Sequence, residues 1–200
     1  PASEIAATAE KLNAQLLVMG VHNRRGLQRL LGSTTHATLN TTHCNVLAVH
    51  PASSDQAYKN VLIAVETGAP MTTVLDRPAK FTNAARVKIL SVIPPLTRAF
   101  AGPDAAAAVS WSFAELTEEI KQQTQAKVDA AAQASDFDAQ VVELHIGDTK
   151  SEILAAAKTF GADLIIVGSN NRSAINRLLI GSTVQGFLSL TPCDVLICRH

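Results

Sequence analysis

Short, uniformly apolar runs alternate with longer amphipathic stretches along this chain, the pattern of a parallel sheet covered by helices on both faces. Val61-Leu62-Ile63-Ala64-Val65 carries no polar residue on either alternating set, and so predicts a central strand buried on both sides. From residue 59 the series is complete. Strands are predicted at Val61 to Val65, Val87 to Ile93, Gln140 to His145, Asp163 to Val167 and Asp194 to Cys198. Helices are predicted between them at Met71 to Ala85, Trp111 to Ala134, Ser151 to Phe160 and Thr183 to Leu190. Pro78 removes a backbone donor from the first of these and predicts a kink or a late start. Gly161 predicts the end of the third. Right-handed crossovers favour the spatial order 3-2-1-4-5 for the five strands, counted along the chain. The expected α/β fold is a doubly wound, Rossmann-like sheet with a ligand crevice between the carboxyl ends of its first and fourth strands.

One segment occurs twice. Ser3-Glu4-Ile5 to Cys44-Asn45-Val46-Leu47 reads again as Ser151-Glu152-Ile153 to Cys193-Asp194-Val195-Leu196, and Gly20, Asn23, Arg24, Arg29, Leu30, Leu31, Gly32 and Ser33 all recur. A spacing kept across an internal repeat means one structural unit built twice. Residues 1–50 hold only the last helix-strand-helix-strand of that unit, residues 51–58 have linker composition, and residues 59–200 hold the whole unit. Leu16-Leu17-Val18-Met19 is then an open apolar edge, so the missing strands are expected from a longer polypeptide or from another chain. The last strand is also an expected edge. It is predicted to pair antiparallel with its duplicate, 45–49 against 194–198, about a pseudo-twofold axis, within one chain or in a homo-oligomer.

Composition narrows the function classes. With 17 Lys plus Arg against 17 Asp plus Glu, and no basic block, neither nucleic acid nor an anionic membrane is an expected partner. No apolar run approaches the roughly 20 residues that cross a bilayer. Cys44, Cys193 and Cys198 are odd in number and sit in or beside apolar runs, which reads as buried thiols in a reducing, cytoplasmic setting. The 47% hydrophobic content is ample for a real core.

The part of the repeat that recurs best is a loop. In the complete copy it reads Gly168-x2-Asn171-x9-Gly181-Ser182-Thr183. A glycine at a strand end lets a ligand approach the backbone, and Gly181-Ser182-Thr183 opens a helix whose free N–H groups and hydroxyls suit an anion. Asn170 and Asn171 tolerate the positive φ that such a turn needs. Glycines at these places also serve ordinary turns and helix caps in any parallel α/β sheet, so spacing alone leaves that reading open.

The run Leu164-Ile165-Ile166-Val167-Gly168-Ser169, with Arg172-Ser173, Leu178-Leu179-Ile180-Gly181-Ser182-Thr183 and Pro192-Cys193-Asp194-Val195-Leu196, resembles the C-terminal half of a universal stress protein. Val61 to Val65 resembles that family's opening strand, and residues 3–50 resemble the C-terminal half a second time, as in tandem members. The ATP-binding branch of the family carries Gly-x2-Gly-x9-Gly-Ser/Thr here. The resemblance therefore implies phosphate contacts from Gly168, Asn171, Gly181, Ser182 and Thr183, and an adenine and ribose wall at Ala64, Glu66 and Val92; Asn170 belongs to the same expected nucleotide site, and Mg²⁺ is an expected companion of the phosphates. This sequence departs from the branch at two positions, with Asn171 in place of the second glycine and Glu66 in place of an Asp. In the first copy the loop is Gly20-x2-Asn23-x8-Gly32-Ser33, one residue shorter. A non-nucleotide interaction module of the same fold is the alternative reading.

Other candidates read more plainly. His22, His36, His43 and His50 cluster in the first copy without the short paired spacing of a zinc site. Ser182 has no nucleophile elbow around it and no acid–base pair stands out, so efficient catalysis is not expected and slow ATP hydrolysis rests on fold analogy alone.

Overall fold

The computed structural model describes residues 1–21, 33–51, 57–65, 86–93, 110–133, 141–169, 187–188 and 190–199. Seven strands form one sheet: β1 Leu16–Gly20, β2 Asn45–Val49, β3 Asn60–Val65, β4 Arg86–Ile93, β5 Val141–Ile146, β6 Leu164–Ser169 and β7 Asp194–Arg199. Their spatial order is β1-β2-β7-β6-β3-β4-β5. Every neighbouring pair is parallel except β2 with β7, which run antiparallel. The helices are α1 Ala2–Lys11, α2 Ser33–Thr41, α3 Ser110–Gln133 and α4 Thr149–Phe160. The expected helix at Met71 to Ala85, with Pro78, lies outside the described residues, and of the stretch Thr183 to Leu190 only 187, 188 and 190 are described, all helical.

The apolar runs sit where two-sided burial requires them. Leu62, Ala64, Leu90, Ile165 and Val167 point to one face of the sheet, where Ile153, Ala156 and Ala157 of α4 pack with Phe187 and Leu188. Val61, Ile63, Val65, Ile89, Leu164 and Ile166 fill the other face. Each Val, Leu, Ile or Phe side chain taken fully from water contributes about 1.5–3 kcal/mol, which is why a strand with no polar position belongs at the centre.

Most boundaries differ from the sequence reading by one or two residues, and two of the shifts have a polar reason. Helix α4 begins at Thr149 rather than Ser151, because the Asp148 carboxylate accepts from the Ser151 backbone N–H at 3.0 Å and from its hydroxyl at 2.7 Å, placing the cap two residues earlier. Strand β6 begins at Leu164 rather than Asp163. Asp163 instead turns its carboxylate to the N–H groups of Lys59 and Asn60, at 2.7 and 3.0 Å, and so ties the start of β3 to the start of β6. The C-terminus of α4 is closed by Gly161 in the left-handed region, φ 63°. Asn13, its equivalent in the first copy, holds the same conformation at φ 48°, a role that asparagine fills better than other side chains.

The antiparallel junction is symmetric about the repeat. Leu47 faces Leu196, the equivalent positions of the two copies, and Val46 faces Ile197 as Ala48 faces Val195. Polar clamps flank it on both sides. Asn45 Oδ1 accepts from Arg199 N at 2.8 Å, and at the equivalent place Asp194 Oδ1 accepts from His50 N at 2.6 Å. The second oxygen of Asp194 accepts from the Tyr58 hydroxyl at 2.8 Å. Burial and this carboxylate push the Tyr58 hydroxyl far above its ordinary range. The Arg199 guanidinium turns inward to donate to the Leu39 carbonyl, and its burial lowers its pKa.

Cys193, beside Asp194, is buried. Burial first, then the Asp194 and Asp163 charges, push its thiol up to about 12. The folded chain thus holds the thiol proton more tightly than the unfolded chain, where the pKa is about 8.5. Its contribution is fully present below that value and is lost as pH rises towards 12. Urea midpoints measured at pH 8 and pH 10.5 should fall between the two, and fall less in Cys193→Ala. At pH 8 a thiol reagent should reach the half-buried Cys44 before Cys193. Cys193 alkylated as fast as a free thiol would contradict the burial on which this rests.

Candidate functional site

Strands β3 and β6 lie side by side and parallel, with Ala64 opposite Val167. The neighbour of β3 on its other side is β4, and that of β6 is β7, both parallel. Strands β3 and β6 therefore stand where the strand order reverses, the place at which open α/β sheets put a ligand crevice, outside the carboxyl ends of the strands. Three of the residues singled out by the sequence stand there. Ala64 is the penultimate residue of β3 and is buried, Gly168 is the penultimate residue of β6, and the half-buried Val92 stands one residue from the end of β4. A methyl group and a missing side chain keep the rims of β3 and β6 low, which suits a ligand that must meet the backbone. Glu66, Asn170, Asn171, Gly181, Ser182 and Thr183 lie outside the described residues.

Ser91 was not foreseen. It lies opposite Val65 in the ladder, fully buried, and its Oγ has no hydrogen-bond partner among the described residues. Leaving a buried hydroxyl unmade costs about 1–3 kcal/mol. A serine that interrupts Ile89-Leu90 and Val92-Ile93 was the available signal.

Beside Val92 the structure gathers a charged cluster that no spacing announces. The Lys88 ammonium donates to Glu143 at 2.6 Å and lies 5.0 Å from the centre of the Phe160 ring. His145, opposite Val92 in the ladder, sits between Glu152 at 2.8 Å on Nδ1 and Glu143 at 3.5 Å on Nε2. A Cβ on Gly147 would meet the Glu152 carboxylate at 2.5 Å, so the glycine is what lets Glu152 fold back on His145. These contacts dock α4 on β4 and β5 and set the polarity of the crevice flank.

In the first copy the matching strand end is Gly20 of β1. A Cβ built there meets nothing within 4 Å, and no strand lies on the outer side of β1 among the described residues.

The sequence pattern of the universal stress protein family matches residues 1–50 and again 57–199. The chain belongs to this family. Universal stress protein A homolog 2 of Coxiella burnetii is 34% identical over 146 residues, a match that takes in 71% of this chain and 95% of the homolog. Among solved structures, PA1789 of Pseudomonas aeruginosa, a functionally unknown protein, superimposes with a TM-score of 0.72 at 16% identity. A universal stress protein of Archaeoglobus fulgidus does so at 0.59 and 21%. Both alignments take in 100% of this chain, which spans 68% and 65% of those two chains. At these identities the two structures speak for the fold. No described helix of this universal stress protein is long and apolar enough to cross a membrane.

Proposed function

We propose that residues 59–200 bind ATP or a related adenine nucleotide, with Mg²⁺ at the phosphates, as a regulatory ligand of a cytosolic stress-response protein. The observation that carries the reading is Gly168 at the end of β6 beside β3, the point from which the Gly168-x2-Asn171-x9-Gly181-Ser182-Thr183 loop departs. In this reading Gly168 and Gly181 admit the phosphates to the backbone, while Ser182 and Thr183 donate hydrogen bonds. Asn170 and Asn171 shape the turn. Ala64 and Val92 wall the base, and Glu66 faces the nucleoside. The two copies act as a dimer-like unit joined through β2 and β7, in which nucleotide binding biases conformation rather than fuelling fast chemistry.

Calorimetric titration of ATP into protein freed of co-purified nucleotide tests it. Saturable heat with a Kd below about 100 μM, or about −5.5 kcal/mol, is expected, and no heat at that concentration rejects the reading. Asn171 in place of a glycine favours one rival, an interaction module that takes no nucleotide. Adenine nucleotide released from freshly purified, denatured protein counts against that rival.

A further inference from the structure

The two copies of the repeated unit give their matching cysteines opposite surroundings. Cys193 is 8% exposed and has Asp194 and Asp163 near it, two carboxylates that oppose a negative charge on sulfur. The repeat places Asn45 and Gln15 at those two positions in the first copy, so Cys44 lacks both charges. A cation stands there instead. The Arg199 guanidinium is near enough to respond to a charge on Cys44, and its Nε is buried with no hydrogen-bond partner among the described residues. The Thr42 hydroxyl lies 3.2 Å from Cys44 Sγ and can donate to it. Cys44 is also half-buried where Cys193 is buried, so a reagent can reach it.

Independently of these charges, the sulfur opens onto room for a ligand. Cys44 lines a cavity of about 590 Å³ between α1 and the end of α2, with Ala6, Glu10, Asn13, Thr41 and His43 on its walls. That volume is in the range of small-molecule sites. The second copy carries Leu154, Lys158, Leu190 and Pro192 at the places of Ala6, Glu10, Thr41 and His43, and Leu154 packs against the core there. Alanine at position 6 leaves space that a leucine takes up. The changes at 10, 41 and 43 line that space with a carboxylate, a hydroxyl and an imidazole, beside the carboxamide of Asn13.

We propose that Cys44 is a thiol-modification site, at which this cavity holds the tail of a low-molecular-weight, peptide-like thiol of the glutathione type in a mixed disulfide. The Cys44 thiolate attacks one sulfur of the oxidised, symmetric disulfide. The new S–S bond forms as the old one breaks, and the leaving thiolate takes up a proton equal to the one Cys44 gave to water. Cys44 is oxidised and one free thiol is released in reduced form. Glu10 suits the ammonium group of such a tail, and Asn13 and Thr41 suit its peptide and carboxylate groups. The site lies in the first copy and does not depend on the nucleotide reading.

The test exposes the whole chain to oxidised glutathione and follows adducts by intact mass and peptide mapping, with iodoacetamide as a small probe that needs no cavity. A single adduct on Cys44 is expected, reversed by dithiothreitol and forming at least about 10-fold faster than on Cys193 or Cys198. Ala6→Leu, which installs the residue of the second copy, should slow that adduct by about 10-fold and leave iodoacetamide labelling of Cys44 unchanged. Thr41→Leu, at an exposed position, carries the same expectation should Ala6→Leu not fold. Asn45→Asp should slow both reagents, because it returns a carboxylate beside the sulfur while keeping an oxygen for the Arg199 amide. If the two reagents respond alike to the leucine variants, the cavity does not hold the tail and the proposal is overturned. Adducts spread evenly over the three cysteines overturn it too, as does a disulfide between the Cys44 residues of two chains in place of the mixed one.

Discussion

Replacing Asp194 by alanine should lower the unfolding free energy by about 3 kcal/mol, and with it the thermal midpoint by roughly 6–12 °C for a chain of this size. The carboxylate is 2% exposed. It takes the His50 amide from the end of the first copy on one oxygen and the Tyr58 hydroxyl, just ahead of β3, on the other. Alanine removes the acceptor that both of these part-buried donors use. The conservative change separates charge from geometry. Asparagine keeps one carbonyl oxygen for His50, as Asn45 already does for Arg199 at the equivalent place, so Asp194→Asn should cost about 1 kcal/mol, the worth of an ordinary hydrogen bond. Exchange of the His50 amide should accelerate in the alanine variant and stay slow in the asparagine one. Equal midpoints for all three proteins would show that Asp194 does not hold the copies together.

Gly181→Arg should abolish ATP binding, weakening it by more than about 100-fold or 2.7 kcal/mol, while leaving the far-ultraviolet spectrum and thermal midpoint near those of the parent. In the sequence reading Gly181 opens the helix that follows the loop, a place where free N–H groups would suit phosphate oxygens. A long side chain at that point competes for the space that the phosphates need. The charge of arginine does not rescue the site, because the loss is of close approach to the backbone and not of attraction. Gly20→Ala is the matched control. Nothing lies within 4 Å of a Cβ at Gly20, so that variant should bind and melt like the parent. ATP titrating Gly181→Arg with undiminished heat would remove the loop from the site.

The elements were legible wherever burial is symmetric. Val61 to Val65 could only be a strand between two covered faces, and all five of its residues are buried. Gly161 marked a helix end because its sequence neighbours supply the Schellman-type bonds that need a left-handed residue, seen from Gly161 N to Lys158 O and Ala162 N to Ala157 O. Misplacement came where a side chain chose between local and distant donors. Asp163, placed in a strand by its neighbours, serves Lys59 and Asn60 across more than a hundred residues. Of the candidate site, Ala64, Val92 and Gly168 were legible as strand-end positions. Ser91 and the Lys88, Glu143, His145 and Glu152 cluster were not, because the residues that bury or pair them come from other strands and from α4.

By itself the amino-acid sequence determined the alternation of buried strands and covering helices, the duplicated unit and the glycine loop, since each depends on neighbours within a few residues or on simple recurrence. The tertiary structure alone decided that Asn45 and Asp194 reach across to Arg199 and His50, that Asp163 ties the start of β3 to that of β6, and that Lys88, Glu143, His145 and Glu152 gather in one cluster. Those outcomes depend on backbone hydrogen bonds and desolvation between segments far apart in the chain, and such pairings leave no local periodicity to read.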